Sequence, residues 1–77
     1  MISSDQIRAA KAILRWSGEE LAQRAGVSLS TIRRVESSVG VPETQNMKTL
    51  VSIKKALEEG GVEFIGTPDD RPGVRLR

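Results

Sequence analysis

Apolar residues recur at helical spacing as far as Glu59, after which the period changes. Ile7, Ala10 and Leu14 form one stripe, and Met47, Leu50, Ile53 and Leu57 form another. Between them lie two shorter apolar groups, around Leu21 and Ala22 and around Val27, Ile32 and Val35. These stripes predict helices over roughly Ser4–Leu14, Gly18–Ala25, Leu29–Ser37 and Thr44–Glu59. Lys54 falls inside the last apolar arc and has to carry its ammonium outward along its stem. Beyond Gly61, "VEFI" is short, β-branched and aromatic, "GTPDDRPG" is turn chemistry, and "VRLR" alternates apolar with charged. A β-hairpin follows, with Val62 and Phe64 on one face and Val74 and Leu76 on the matching face. A frayed terminal tail is the alternative.

Local signals fix the helix starts. Ser3 with Gln6, Ser17 with Glu20, and Ser28 with Thr31 each place a capping hydroxyl three residues before a second polar group. Each is flanked by an apolar pair that sets the entry angle of the chain: Ile2 with Ile7, Trp16 with Leu21, Val27 with Ile32. Thr31 is the weakest of the three box partners, being neither Glu nor Gln. Gly26 separates the second helix from the third. "SSVGVPE" reads as a loop from its serines, Gly40 and Pro42, and Gly60 with Gly61 ends the fourth helix.

Composition narrows the function classes. The 77 residues make one domain, helical over about 3–60 and a hairpin over about 61–77, with a modest core of the kind that often leans on a partner chain. There is no cysteine and no histidine, so disulfides are impossible and the usual soft and imidazole metal ligands are missing. No metal or cofactor is expected, and no enzyme: Asp69 and Asp70 sit in a turn rather than a pocket. No apolar run is long enough for a bilayer and no signal peptide is recognisable at Met1, which fits a cytoplasmic protein. The formal net charge of +2 decides little by itself. Placement says more: Arg8, Lys11, Arg15, Arg24, Arg33 and Arg34 precede Glu36, against only Asp5, Glu19 and Glu20.

The third predicted helix carries the chemistry. At about 100° per residue, Ser30, Arg33, Arg34 and Ser37 share the face opposite Ile32. That face has two arginines, small hydroxyls and no acid. Arginine forks onto guanine or grips phosphate, and serine lets a helix approach a major groove closely. The stretch "WSGEELAQRAGVSLSTIRRVE" resembles the helix-turn-helix of the lambda-repressor and Cro-like (XRE) regulators. The shared features are the capped "S-x-E-E-L-A", the "R-A-G-V-S" turn and the second helix "S-T-I-R-R-V-E". The further pattern "P…NMKTLVSIKKALEEGGVEFI…PGVRLR" is similar to a compact subgroup ending in a short hairpin, so nearly the whole chain is covered.

The resemblance implies a mainly α, four- to five-helix lambda-repressor-like DNA-binding domain with a C-terminal β-hairpin. It implies a symmetric dimer on double-stranded DNA and transcriptional control. The DNA-contacting set is then Ser28, Leu29, Ser30, Thr31, Arg33, Arg34 and Ser37, with Arg34 the better base reader of the two arginines. Two positions depart from the pattern. Many members have glutamine where this chain has Gly18, which leaves only a backbone amide to hold the DNA backbone. The subgroup often has glycine where this chain has Arg15, which must bear any left-handed strain at the end of the first helix or end that helix differently.

Several residues carry a second reading. Trp16, at a staple position, belongs to the core edge rather than to a base stack. Leu29 lies about 60° from Ile32 and either pads the core edge or touches a thymine methyl group. Glu36 is a partner for a basic side chain, since its charge repels phosphate. Arg71, Arg75 and Arg77 form a solvated strand edge that discourages unwanted pairing. A lone hairpin is marginal, so helix 4, the hairpin of a second copy, or both must cover it; both are expected, giving a two-fold homodimer. Two other functions fit the chain: a DNA-binding antitoxin with a protein partner, and an interaction adaptor that keeps the fold without sequence-specific DNA binding.

Overall fold

The computed structural model describes residues 2–37 and 47–77. Among them are four helices and a two-stranded antiparallel sheet: α1 (Ser4–Leu14), α2 (Gly18–Ala25), α3 (Leu29–Ser37), α4 (Met47–Glu59), β1 (Val62–Thr67) and β2 (Asp70–Leu76). The expected loop at 38–43 and the expected helix start at Thr44 lie outside the described residues. Ile7, Leu21, Ile32, Ile53, Leu57 and Val62 are fully buried and tie all four helices and β1 into one core. Among the described residues, no helix is long and apolar enough to cross a membrane.

The three caps form, each in its own way. Ser3 and Gln6 make a complete capping box: Gln6 N–H donates to Ser3 Oγ (3.1 Å) and Ser3 N–H to Gln6 Oε1 (2.8 Å). Ser17 Oγ accepts from Glu20 N–H at 3.0 Å, but the Glu20 carboxylate turns to Arg24 (3.4 Å) instead of closing a box. Ser28 Oγ accepts from Thr31 N–H at 3.1 Å and also lies 2.8 Å from the Thr31 hydroxyl, so the threonine side chain meets the cap hydroxyl and not the cap backbone amide.

α1 and α2 end alike. Arg15 (φ 58°, ψ 35°) and Gly26 (φ 71°, ψ 32°) both step into the left-handed region. In each case the following amide reaches back to the last turn: Trp16 N–H to Lys11 (3.0 Å) and Val27 N–H to Ala22 (3.0 Å). Glycine takes this conformation freely, and arginine takes it against a steric penalty. Trp16 is then half-buried against the core, with the Arg24 guanidinium 4.4 Å from its ring centroid. A Cβ at Gly60 would sit 2.7 Å from this ring, so the glycine that ends α4 also makes room for Trp16.

The hairpin pairs Val62 with Leu76, Glu63 with Arg75, Phe64 with Val74 and Ile65 with Gly73. The strands run further than the sequence predicts. "GTPDDRPG" is not all turn, because pairing resumes at Thr67 with Asp70 past a bulge between Ile65 and Thr67. Gly66 (φ 72°) permits the bulge, since a Cβ there would lie 2.4 Å from the Arg71 carbonyl oxygen. Gln6 locks the hairpin onto α1: its Nε2 donates to the carbonyls of Ile65 and Gly73, each at 3.1 Å.

Two expected core residues are exposed. Met47 is 55% exposed: it opens α4 at the lip of a shallow groove, and Ala56 joins Leu50, Ile53 and Leu57 in the buried stripe instead. Leu76 shares a face with Val62 but is 61% exposed at the end of β2, whereas Val62 and Leu57 lie in the core.

The matched helix ends give opposite expectations. Arg15→Gly is expected to raise stability by about 0.5–1 kcal/mol through relief of left-handed strain. Gly26→Ala is expected to lower it by about 1 kcal/mol through strain alone, because a Cβ there meets nothing within 4 Å. Urea unfolding of the two variants, followed by far-UV circular dichroism, checks both signs.

Candidate nucleic-acid interface

α3 divides cleanly into two faces. Ile32 and Val35 are buried, while Ser30, Arg33, Arg34 and Ser37 are exposed, together with Ser28 at the cap. Thr31 and Leu29 are half-buried on the flanks. The exposed strip thus brings Ser28, Ser30, Arg33, Arg34 and Ser37 together, with Leu29 and Thr31 on its borders. Two of its hydroxyls are already engaged in the helix itself: Ser28 caps the first turn, and Ser37 Oγ donates to the Arg34 carbonyl at 3.0 Å.

Three carbonyls in the last turn of α3 accept hydrogen bonds from side chains. Ser37 takes that of Arg34. The buried Ser4 of α1 donates its hydroxyl to Val35 O at 2.7 Å. Arg8 donates to the Glu36 carbonyl with one nitrogen and holds the Asp5 carboxylate with another. Lys11, one turn further along α1, places its ammonium 2.7 Å from Glu36 Oε1. That oxygen is buried, and among the described residues the Lys11 ammonium charge compensates it. Glu36 is therefore a structural partner of a basic side chain.

This clamp is the part that sequence reasoning missed. The signal was present: Ser4, Arg8 and Lys11 are spaced as one face of α1. A buried serine on such a face needs a hydrogen-bond partner. Which partner it finds depends on a contact across 31 residues of chain.

The first turn of α2 lies close to α3 at Gly18. A Cβ built on Gly18 would lie 3.3 Å from Leu29 Cδ1 and 3.7 Å from Ile32 Cγ2. Leu29 therefore lies close to the bare backbone of Gly18 and is half-buried, neither a core residue nor a fully exposed one.

Arg71, Arg75 and Arg77 are exposed on or beyond β2. Arg71 pairs with Asp70 (3.1 Å) and Arg75 with Glu63 (2.6 Å) across the sheet. Among the described residues no group of acidic side chains could hold a metal ion.

A family model described as helix-turn-helix matches residues 7–53, more than half of the chain. The match runs from the buried Ile7 of α1 through the two-helix unit and into α4. A search of curated proteins finds no match.

If the α1 clamp orients α3, removing its buried hydroxyl is felt there first. Ser4→Ala leaves the Val35 carbonyl without its donor and is expected to destabilise the fold by about 1–3 kcal/mol. Native-state amide exchange is expected to quicken most in α3, with α4 less affected.

Proposed function

The chain belongs to the lambda-repressor/Cro-like (XRE) helix-turn-helix family, DNA-binding transcriptional regulators. From that premise we propose that it is a repressor that binds a palindromic operator as a homodimer through the exposed face of α3. The observation that carries this reading is that face: two exposed arginines and small hydroxyls, no acid, on a helix clamped at its far end. Arg34 reads a base edge, with the guanine fork as its favoured contact. Arg33 grips the DNA backbone, and Ser28, Ser30, Thr31 and Ser37 allow close approach and supply further polar contacts. Repression follows from occupancy, the bound protein standing where polymerase must pass.

Size supports two copies. The chain measures 28 × 24 × 18 Å, whereas successive major grooves on one side of the duplex are about 34 Å apart. One copy serves one groove, and two side by side serve two. Large apolar side chains left exposed on α4 (Met47, Val51) and at the end of β2 (Leu76) supply surface for the second copy. Nothing in the geometry favours a toxin partner or an adaptor role over DNA reading.

Selection from random-sequence DNA, at two salt concentrations and with wild type beside Arg34→Ala, tests the proposal. The expected outcome is a palindromic site bound by two chains of 8.4 kDa. Affinity is expected to fall steeply as salt rises. Arg34→Ala is expected to weaken binding by about 1–3 kcal/mol and to relax preference at one base pair per half-site. A chain that enriches no sequence, with or without Arg34, contradicts the proposal and leaves the adaptor reading in its place.

A further inference from the structure

The hairpin leaves the outer edges of both strands without backbone partners among the described residues. Arg77 N–H donates to the Gly61 carbonyl at 2.9 Å, so the register makes Glu63 with Arg75 and Ile65 with Gly73 the hydrogen-bonded pairs. The N–H and C=O groups of Val62 and Phe64 on β1, and of Val74 and Leu76 on β2, therefore point away from the partner strand. The two edges differ in access. α4 packs against β1, and Val62 is buried. On β2, by contrast, Arg75, Leu76 and Arg77 are all exposed. They differ in charge as well: from Arg71 onward the sequence has three arginines and no acid. Arg71 holds Asp70, Arg75 holds Glu63 at 2.6 Å, and Arg77 forms no ion pair among the described residues.

We infer that the outer edge of β2 is a docking site for an extended acidic segment of a partner protein, added to the hairpin as a third strand. The inference is independent of the DNA-binding reading of α3. Backbone bonds to Val74 and Leu76 supply the attachment, and side chains supply the selection. Residues of the added strand across from Arg75 and Arg77 meet guanidinium groups. A guanidinium has five N–H donors, so Arg75 can take a second carboxylate beside Glu63. Residues across from Val74 and Leu76 fall on the other face, where the exposed Leu76 favours an apolar side chain. The partner is thus read as acid alternating with apolar. Pro72, which has no N–H, lies opposite the bulge and ends the edge, so the docked strand is on the order of five residues. Gln6, bonded to the Ile65 and Gly73 carbonyls, holds the hairpin in place beforehand, which lowers the ordering cost of docking. A second copy can pack on exposed side chains but does not pair along this edge, because two β2 strands side by side would set arginine against arginine. Duplex DNA would engage the arginines alone and leave the open backbone groups and Leu76 unused.

The probe is a short capped peptide alternating glutamate with valine, titrated into the full chain and followed by NMR of the backbone amides. A control peptide of equal charge has proline at every valine and cannot donate along a strand. The expected result is that shifts concentrate on Gly73 to Arg77 and that the Val74 and Leu76 amides exchange about tenfold more slowly or less. The control is expected to bind about tenfold more weakly, since the bonds from its backbone amides are lost. Leu76→Pro removes an outward N–H and no bond within the hairpin, so it is expected to melt cooperatively and to bind the peptide about fivefold more weakly than Leu76→Ala. Arg75→Ala combined with Arg77→Ala is expected to weaken binding about threefold or more, with a smaller difference at high salt. Equal binding of the two peptides overturns the inference, because attraction is then charge alone. Equal binding by folded Leu76→Pro and Leu76→Ala does so too, as does an alternating peptide that leaves β2 unshifted. An unselected DNA duplex that displaces the peptide from β2 assigns the arginines to DNA and also overturns it. None of these results bears on α3, so the DNA-binding proposal stands or falls separately.

Discussion

A helix of nine residues does not hold itself together in water. Everything that makes α3 a usable surface is supplied from outside it. Ile32 and Val35 anchor one side in the core, the Ser28 hydroxyl closes the first turn, and α1 closes the last through Ser4 and Arg8. The opposite face is exposed, with its arginines on a helix that cannot rotate without breaking hydrogen bonds to α1. Orientation at this level matters because base contacts depend on fixed geometry, whereas phosphate contacts tolerate slack.

The same economy of parts runs through the fold. Gln6 belongs to the α1 capping box and also fastens the hairpin through two carbonyls. Gly60 ends α4 and clears space for Trp16, which in turn lies beneath Arg24 at the end of α2. Lys11 neutralises the one acid on the inner flank of α3. A domain this small has few residues that serve a single purpose, so helix caps double as tertiary contacts.

Much of this was legible in the sequence, and the part that was not has a common cause. The bounds of α1, α2 and α3 follow from hydroxyl caps and apolar staples, which are local, and they fall where the spacing predicts. The polar face of α3 follows from its period. By contrast, the Ser4, Arg8 and Gln6 bonds span 28 to 67 residues and exist only once the topology is formed. The extra length of β1 and β2 depends on a bulge that only the pairing of Gly66 against Arg71 reveals. Amphipathic spacing placed Met47 and Leu76 on apolar faces correctly but says nothing of whether a face is covered, and both are exposed. Leu29 sat on the border between core and surface in the sequence, and the structure keeps it there, half-buried beside Gly18.

The central claim is that the exposed face of α3 is the surface that meets DNA. Backbone amide and arginine side-chain resonances, followed by NMR while the protein is titrated with its selected duplex, test this most directly. The expected result is that shifts concentrate on Ser28–Ser37 and the first turn of α2, with the Arg33 and Arg34 guanidinium signals among the largest. Shifts centred instead on the groove around Ile2, Met47 and Val51 or on the hairpin, with α3 unmoved, would contradict it.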